Sequence, residues 1–138
     1  MPIKILLADD SKIMRVAIGR LLKEESSVEL VGEAASFAQA MEMSVTLKPS
    51  ILVLDLYMPD DHEHPPSVVK SWVAQHDVCV VAISLANNEE AKALAQSMGA
   101  KTLLDKVDLF STLLPAIKRL CPEAPRKRSV GNASRISA

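Results

Sequence analysis

The chain has 138 residues and a formal net charge of −1, with 49% hydrophobic and 24% charged residues, the balance of an ordinary one-domain soluble protein. No apolar run reaches membrane-spanning length, and Cys79 and Cys121 supply neither a metal-ligand spacing nor a disulfide framework. Aromatics are 3% of the chain, so any core must be aliphatic.

From the N-terminus, Met1-Pro2-Ile3-Lys4 enters an apolar run that ends in an acidic pair, which is not the form of a signal peptide. A cytoplasmic location is expected. Ile3 to Ala8 reads as a first strand ending in Asp9-Asp10. Ser11 is a good N-cap, and Met14, Ala17, Ile18 and Leu21 follow at helical spacing. Val28 to Ala34 reads as a second strand, with Val28, Leu30 and Gly32 on one face. Ser36 with Gln39 makes a capping-box pattern, and Phe37, Ala40, Met41 and Val45 make the stripe of a second helix that Pro49 stops by Lys48.

Ile51-Leu52-Val53-Leu54-Asp55 is the strongest strand signal. Four aliphatic residues run unbroken into an aspartate, as in a strand buried on both faces of a parallel sheet. Asp60 to Pro66 follows as a polar loop, with Pro66 suited to the first position of a helix that turns Val69, Trp72 and Val73 inward. His62, Glu63 and His64 read as a solvated part of that loop, since adjacent loop positions rarely converge on one ion. Val78 to Ile83 is an uncharged fourth strand ending at Ser84. Asn87 or Asn88 caps a fourth helix faced by Ala91, Leu94, Ala95 and Met98, with Gly99 as its terminator. Lys101 to Asp105 is a short fifth strand running into Lys106. Leu109 to Leu120 is a last helix, and placing Pro115 in its first turn puts the start near Asp108 or Ser111. Residues 1–121 thus form one α/β domain. Residues 122–138 read as a flexible basic tail or linker, with Arg126, Lys127, Arg128 and Arg135 against Glu123. That cluster is too small to establish nucleic-acid binding.

Five alternations of strand and helix predict a parallel sheet with helices on both faces, and such sheets bind ligands at their carboxyl edge. Asp9, Asp10 and Asp55 converge there if the first and third strands are neighbours. Carboxylates about 4 Å apart repel by roughly 4 kcal/mol at an effective dielectric near 20, so three of them call for a cation. All-oxygen ligands on an open rim favour Mg²⁺. Asp55 can then act as a carboxylate nucleophile toward phosphorus, with Lys106 neutralising phosphoryl oxygens and Ser84 donating a hydrogen bond.

Taken in order and spacing, Asp9-Asp10, Asp55 with Met58-Pro59, Ser84 and Lys106 resemble the receiver domains of bacterial two-component response regulators, over residues 3 to about 120. The resemblance implies a CheY-like (βα)₅ fold of strand order 2-1-3-4-5 and phosphorylation of Asp55 by a sensor histidine kinase or phosphotransfer protein. It implies that Asp10, Asp55 and the Tyr57 backbone carbonyl ligate Mg²⁺ and that Asp9 acts through water. The chain would catalyse only its own phosphorylation and dephosphorylation, and Lys12 and Arg15 on the first helix become candidate kinase contacts. Homodimerisation on phosphorylation is a further expectation, with DNA reached only through an output domain absent from this chain. The second strand and basic linker are similar to those of receivers that precede a LuxR-type domain.

Three positions depart from the pattern. Leu103 stands where receivers usually carry an aromatic ring, Val107 where a proline often follows the lysine, and residues 60–66 contain no glycine. The alternatives are a degenerate receiver used only for protein interaction, a flavodoxin-like cofactor binder and a haloacid-dehalogenase-type phosphatase. The complete acidic set argues against the first. The second would want a Ser/Thr/Gly-rich phosphate loop after the first strand. The third would need a second aspartate two residues after the nucleophile, and Asp9-Asp10 does not supply it.

Overall fold

The computed structural model describes residues 2–59 and 64–121. Strands β1 (Ile3–Ala8), β2 (Val28–Ala34), β3 (Ile51–Asp55), β4 (Cys79–Ser84) and β5 (Ala100–Asp105) alternate with helices α1 (Lys12–Lys23), α2 (Phe37–Leu47), α3 (Pro66–Gln75), α4 (Glu89–Ser97) and α5 (Leu109–Leu120). A single 3₁₀ turn, Lys106–Asp108, joins β5 to α5. The strands form one parallel sheet in the order β2-β1-β3-β4-β5. The chain reverses direction across the sheet between β1 and β3, so the strand ends carrying Asp9 and Asp55 are neighbours.

Alternate side chains of the central strands feed two cores. Leu6, Ala8, Leu52, Leu54, Val80 and Ala82 face α2, α3 and α4, while Ile5, Leu7, Ile51, Val53, Val81 and Ile83 face α1 and α5. Burying a side chain of this size contributes about 1.5–3 kcal/mol, so the uninterrupted aliphatic runs of β1, β3 and β4 hold the sheet's centre rigid. Every residue of β3, including Asp55, is buried.

Side-chain caps start three of the helices. The Ser11, Ser36 and Asn88 side chains accept from the backbone N–H of Met14, Gln39 and Ala91 at 3.2, 3.1 and 2.8 Å. Pro66 opens α3 as expected. Gly99 ends α4 at φ +82°, where a Cβ would be strained.

Three expectations are corrected. Val45 is exposed on α2, and the buried position is taken by Ser44, whose hydroxyl is satisfied by donating to the Ala40 carbonyl at 2.8 Å. Gly32 does not share a face with Leu30. The register slips by one residue after Ile5, so Leu30 pairs with Ile5 but Gly32 with Leu6 on the other face. There a Cβ would come within 2.7 Å of the Met43 side chain and 2.8 Å of Leu47. Pro115 lies inside α5 rather than in its first turn, although the helix does begin beside Asp108. Both Pro115 and Ser111 are exposed, so the Ser111 carbonyl deprived of its helical partner faces water.

Candidate phosphotransfer site

The acidic pair follows β1 directly. Asp9 is wholly buried and fixed through several atoms: its N–H donates to the Ala34 carbonyl at 3.0 Å and its Oδ1 accepts from the Ser11 N–H at 2.8 Å. Asp10, one residue further out, is exposed. Asp55 ends β3, is 5% exposed, and accepts the Tyr57 N–H at 3.2 Å through Oδ1. One carboxylate oxygen from each of Asp9, Asp10 and Asp55 can be chosen so that all three lie within 4.8 Å of one another. At that separation each charged pair costs roughly 3–4 kcal/mol at an effective dielectric near 20.

Lys106 enters the cluster from the opposite side of the sheet centre. Its Nζ lies 2.8 Å from Asp9 Oδ2 and 3.5 Å from Asp55 Oδ2, and its side chain is 10% exposed. One ammonium is thus shared by two acids. Asp55 carries the cost: its pKa is pushed up to about 6, first by burial, then by the Asp9 charge and a hydrogen bond with Asp10, against the opposing pull of the Tyr57 N–H and Lys106. Ser84 is buried at the end of β4, and its Oγ accepts the Ala86 N–H at 2.9 Å. Its hydroxyl proton has no acceptor among the described residues and can serve one at the sheet edge.

The residues fit a small hard cation. Asp9 Oδ2 is buried, and among the described residues its one close partner is the Lys106 ammonium at 2.8 Å, which leaves the oxygen a further lone pair for a cation. The donor set is all oxygen, and Asp10 leaves one side open to water.

Tyr57 holds a half-exposed ring beside the site. Trp72 stacks on His76 with ring centroids 4.3 Å apart, a packing role. Leu103 packs half-buried against the core beneath α2, α3 and α4, and Val107 is 81% exposed. His62 and Glu63 lie outside the described residues, as does the basic tail. Lys12 is exposed, whereas Arg15 is largely covered. Its guanidinium turns back to the Asp9 carbonyl at 2.7 Å and to Glu33 at 3.4 Å. Sequence reasoning missed this contact, because a backbone carbonyl leaves no mark in the residue pattern.

The profile of the response regulator receiver domain matches residues 5–118. The chain belongs to the response regulator receiver domain family. Within that family it is 31% identical over 120 residues to the response regulator protein VraR of Staphylococcus saprophyticus, covering 86% of this chain and 56% of that protein. It is 30% identical over 105 residues to protein-glutamate methylesterase/protein-glutamine glutaminase 2 of Anaeromyxobacter dehalogenans, covering 76% of this chain and 30% of the other. The receiver therefore spans about half or less of the length of these curated relatives. Its fold superimposes on the signal receiver domain of the response regulator NarL from Mycobacterium tuberculosis with a TM-score of 0.77 at 24% identity, covering 88% and 98% of the two chains. The CheY-like architecture and a place in two-component signalling follow. Among the described residues no helix is long and apolar enough to cross a membrane.

Proposed function

We propose that this receiver is a phosphorylation switch in which Asp55 accepts a phosphoryl group from a partner's phosphohistidine. The observation that carries the reading is the shared cation: Lys106 stands 2.8 Å from Asp9 and 3.5 Å from Asp55, at an edge where three carboxylates crowd together. A bond forms between an Asp55 carboxylate oxygen and phosphorus as the bond from phosphorus to the donor's ring nitrogen breaks, with the electron pair leaving on that nitrogen. Lys106 neutralises charge on the phosphoryl oxygens, and the Ser84 hydroxyl donates to one of them while keeping its bond from Ala86. Asp10, Asp55 and the Tyr57 backbone carbonyl would hold Mg²⁺, with Asp9 acting through water, and that ion supplies charge neutralisation at the phosphoryl group. Beyond its own phosphorylation and dephosphorylation the domain performs no other chemistry in this reading.

The donor would be a sensor histidine kinase or phosphotransfer protein, and exposed Lys12, Ile13 and Val107 frame the site where such a partner arrives. Homodimerisation on phosphorylation belongs to the same reading, and contact with DNA would come only through a further domain.

Acetyl phosphate with Mg²⁺ should add one phosphoryl group, labile to hydroxylamine, as read by intact mass. Asp55→Asn should abolish the addition. Undiminished labelling of that variant overturns the assignment, and so does a wild type that stays unlabelled with either acetyl phosphate or a phosphohistidine donor.

A further inference from the structure

Arg15 lies on α1, six residues past Asp9, and its side chain is only 17% exposed. Nη1 donates to the Asp9 carbonyl oxygen at 2.7 Å, and Nε lies 3.4 Å from Glu33 Oε1 on β2. That carbonyl belongs to the peptide unit joining Asp9 to Asp10. A peptide unit is planar, so holding its oxygen also sets the direction of its N–H and the outset of the next residue. The N–H of Asp9 and both its carboxylate oxygens are already engaged by Ala34, Ser11 and Lys106. Asp10, by contrast, sits on the exposed bend between β1 and α1, past the last pairing of the strand.

We propose that Arg15 is a positioning residue for Asp10: it clamps the Asp9–Asp10 peptide against β2 and so aims the Asp10 carboxylate into the cation site. The inference rests on the metal-dependent reading above and deepens it. Two plainer roles predict different behaviour. If Arg15 only pinned α1 to β2, its loss would lower stability and leave the affinity of the folded protein for a dication unchanged. If it acted only through its charge, its removal would tighten binding, because a guanidinium beside three acids repels a dication. Clamping alone predicts weaker binding. Partners that orient metal ligands cost about 10–100-fold in affinity when removed, and a clamp acting on one ligand of several belongs at the low end.

The test is calorimetric titration of Mg²⁺ into the full chain, without phosphodonor, for the wild type, Arg15→Met and Arg15→Lys. Methionine keeps much of the packing of the aliphatic stem. Arg15→Met should bind Mg²⁺ about tenfold more weakly and should shift the Asp10 amide resonance in metal-free NMR spectra. Arg15→Lys should recover part of the affinity, because an ammonium can reach the carbonyl but cannot hold Glu33 as well. If Arg15→Met does not fold, Arg15→Lys against the wild type still decides, with a weakened affinity expected. Unchanged or tighter Mg²⁺ binding in a folded variant overturns the clamp alone. A wild type that binds no Mg²⁺ overturns the metal-dependent reading, and the inference with it.

Discussion

Asp55 is the residue on which the competing forces meet. A buried carboxylate beside a second carboxylate prefers its proton, and the rise from 3.8 to about 6 sets the sign of a pH effect. Between those values the folded protein binds more protons than the unfolded chain, so the metal-free protein should lose stability as pH rises through that window. Two units correspond to at most about 3 kcal/mol, and nearer 1–2 where water at the open edge screens the charges. Urea denaturation at pH 4.5 and pH 7.5 without metal checks this. Asp55→Asn should remove most of the difference and raise metal-free stability at pH 7.5, whereas an equal pH response in the variant would place the effect elsewhere. Most of this site can be read from the chain, because a polar residue ending an uninterrupted aliphatic run can emerge only at a sheet edge. Asp9, Asp55 and Ser84 carry that signature, and Asp10 and Lys106 each stand directly after the acid that closes a strand. Arg15 does not: an arginine on an amphipathic helix reads as solvated, and what holds it is a carbonyl oxygen.

At the level of elements, α5 carries a defect that can be repaired. Pro115 denies the Ser111 carbonyl its helical partner on the exposed face. Pro115→Ala should therefore raise the unfolding free energy by about 1–2 kcal/mol, the propensity gain less what proline saves in the unfolded chain, as checked by chemical denaturation. A fall in stability would mean that the ring packs against something essential. In β5, Leu103 is partly exposed, so Leu103→Ala should cost about 2 kcal/mol, the low end for leucine truncation. The same variant should leave acetyl-phosphate labelling of Asp55 unchanged, and if a phosphorylation-dependent association exists it should persist. Loss of that association in a folded, fully labelled variant would show that this leucine carries the signal. Element type and order are legible in the sequence because the two periodicities alternate cleanly. Faces were legible only where the period held. In β2 one extra residue moved Gly32 across the sheet, and in α2 a serine able to bond its own helix displaced Val45 from the core.

For the whole molecule, the acidic edge is a local loss of stability set against two well-packed aliphatic cores. Millimolar Mg²⁺ should raise the melting temperature of the unphosphorylated receiver by mass action, and Asp10→Asn should lose most of that rise. Scanning calorimetry with and without the ion checks both, and an unshifted wild type would count against a cation site. The Asp10 variant should also melt higher than the wild type in the absence of metal, since one of three repelling charges is gone.

One ammonium shared between two acids also has a consequence for ionic strength. With Asp55 ionised, three carboxylates and Lys106 leave the edge two charges negative. A dication brings it to neutrality, and exchanging the Asp55 carboxylate for a phosphoryl dianion returns it only to about minus one. The edge therefore differs most in potential between its empty and metal-loaded forms, and less between loaded and phosphorylated. Added salt should weaken Mg²⁺ loading markedly and disturb the later phosphoryl step much less. On that account, what a partner would distinguish in a phosphorylated receiver is the arrangement of Ser84, its loop and Lys106 more than a change in overall field.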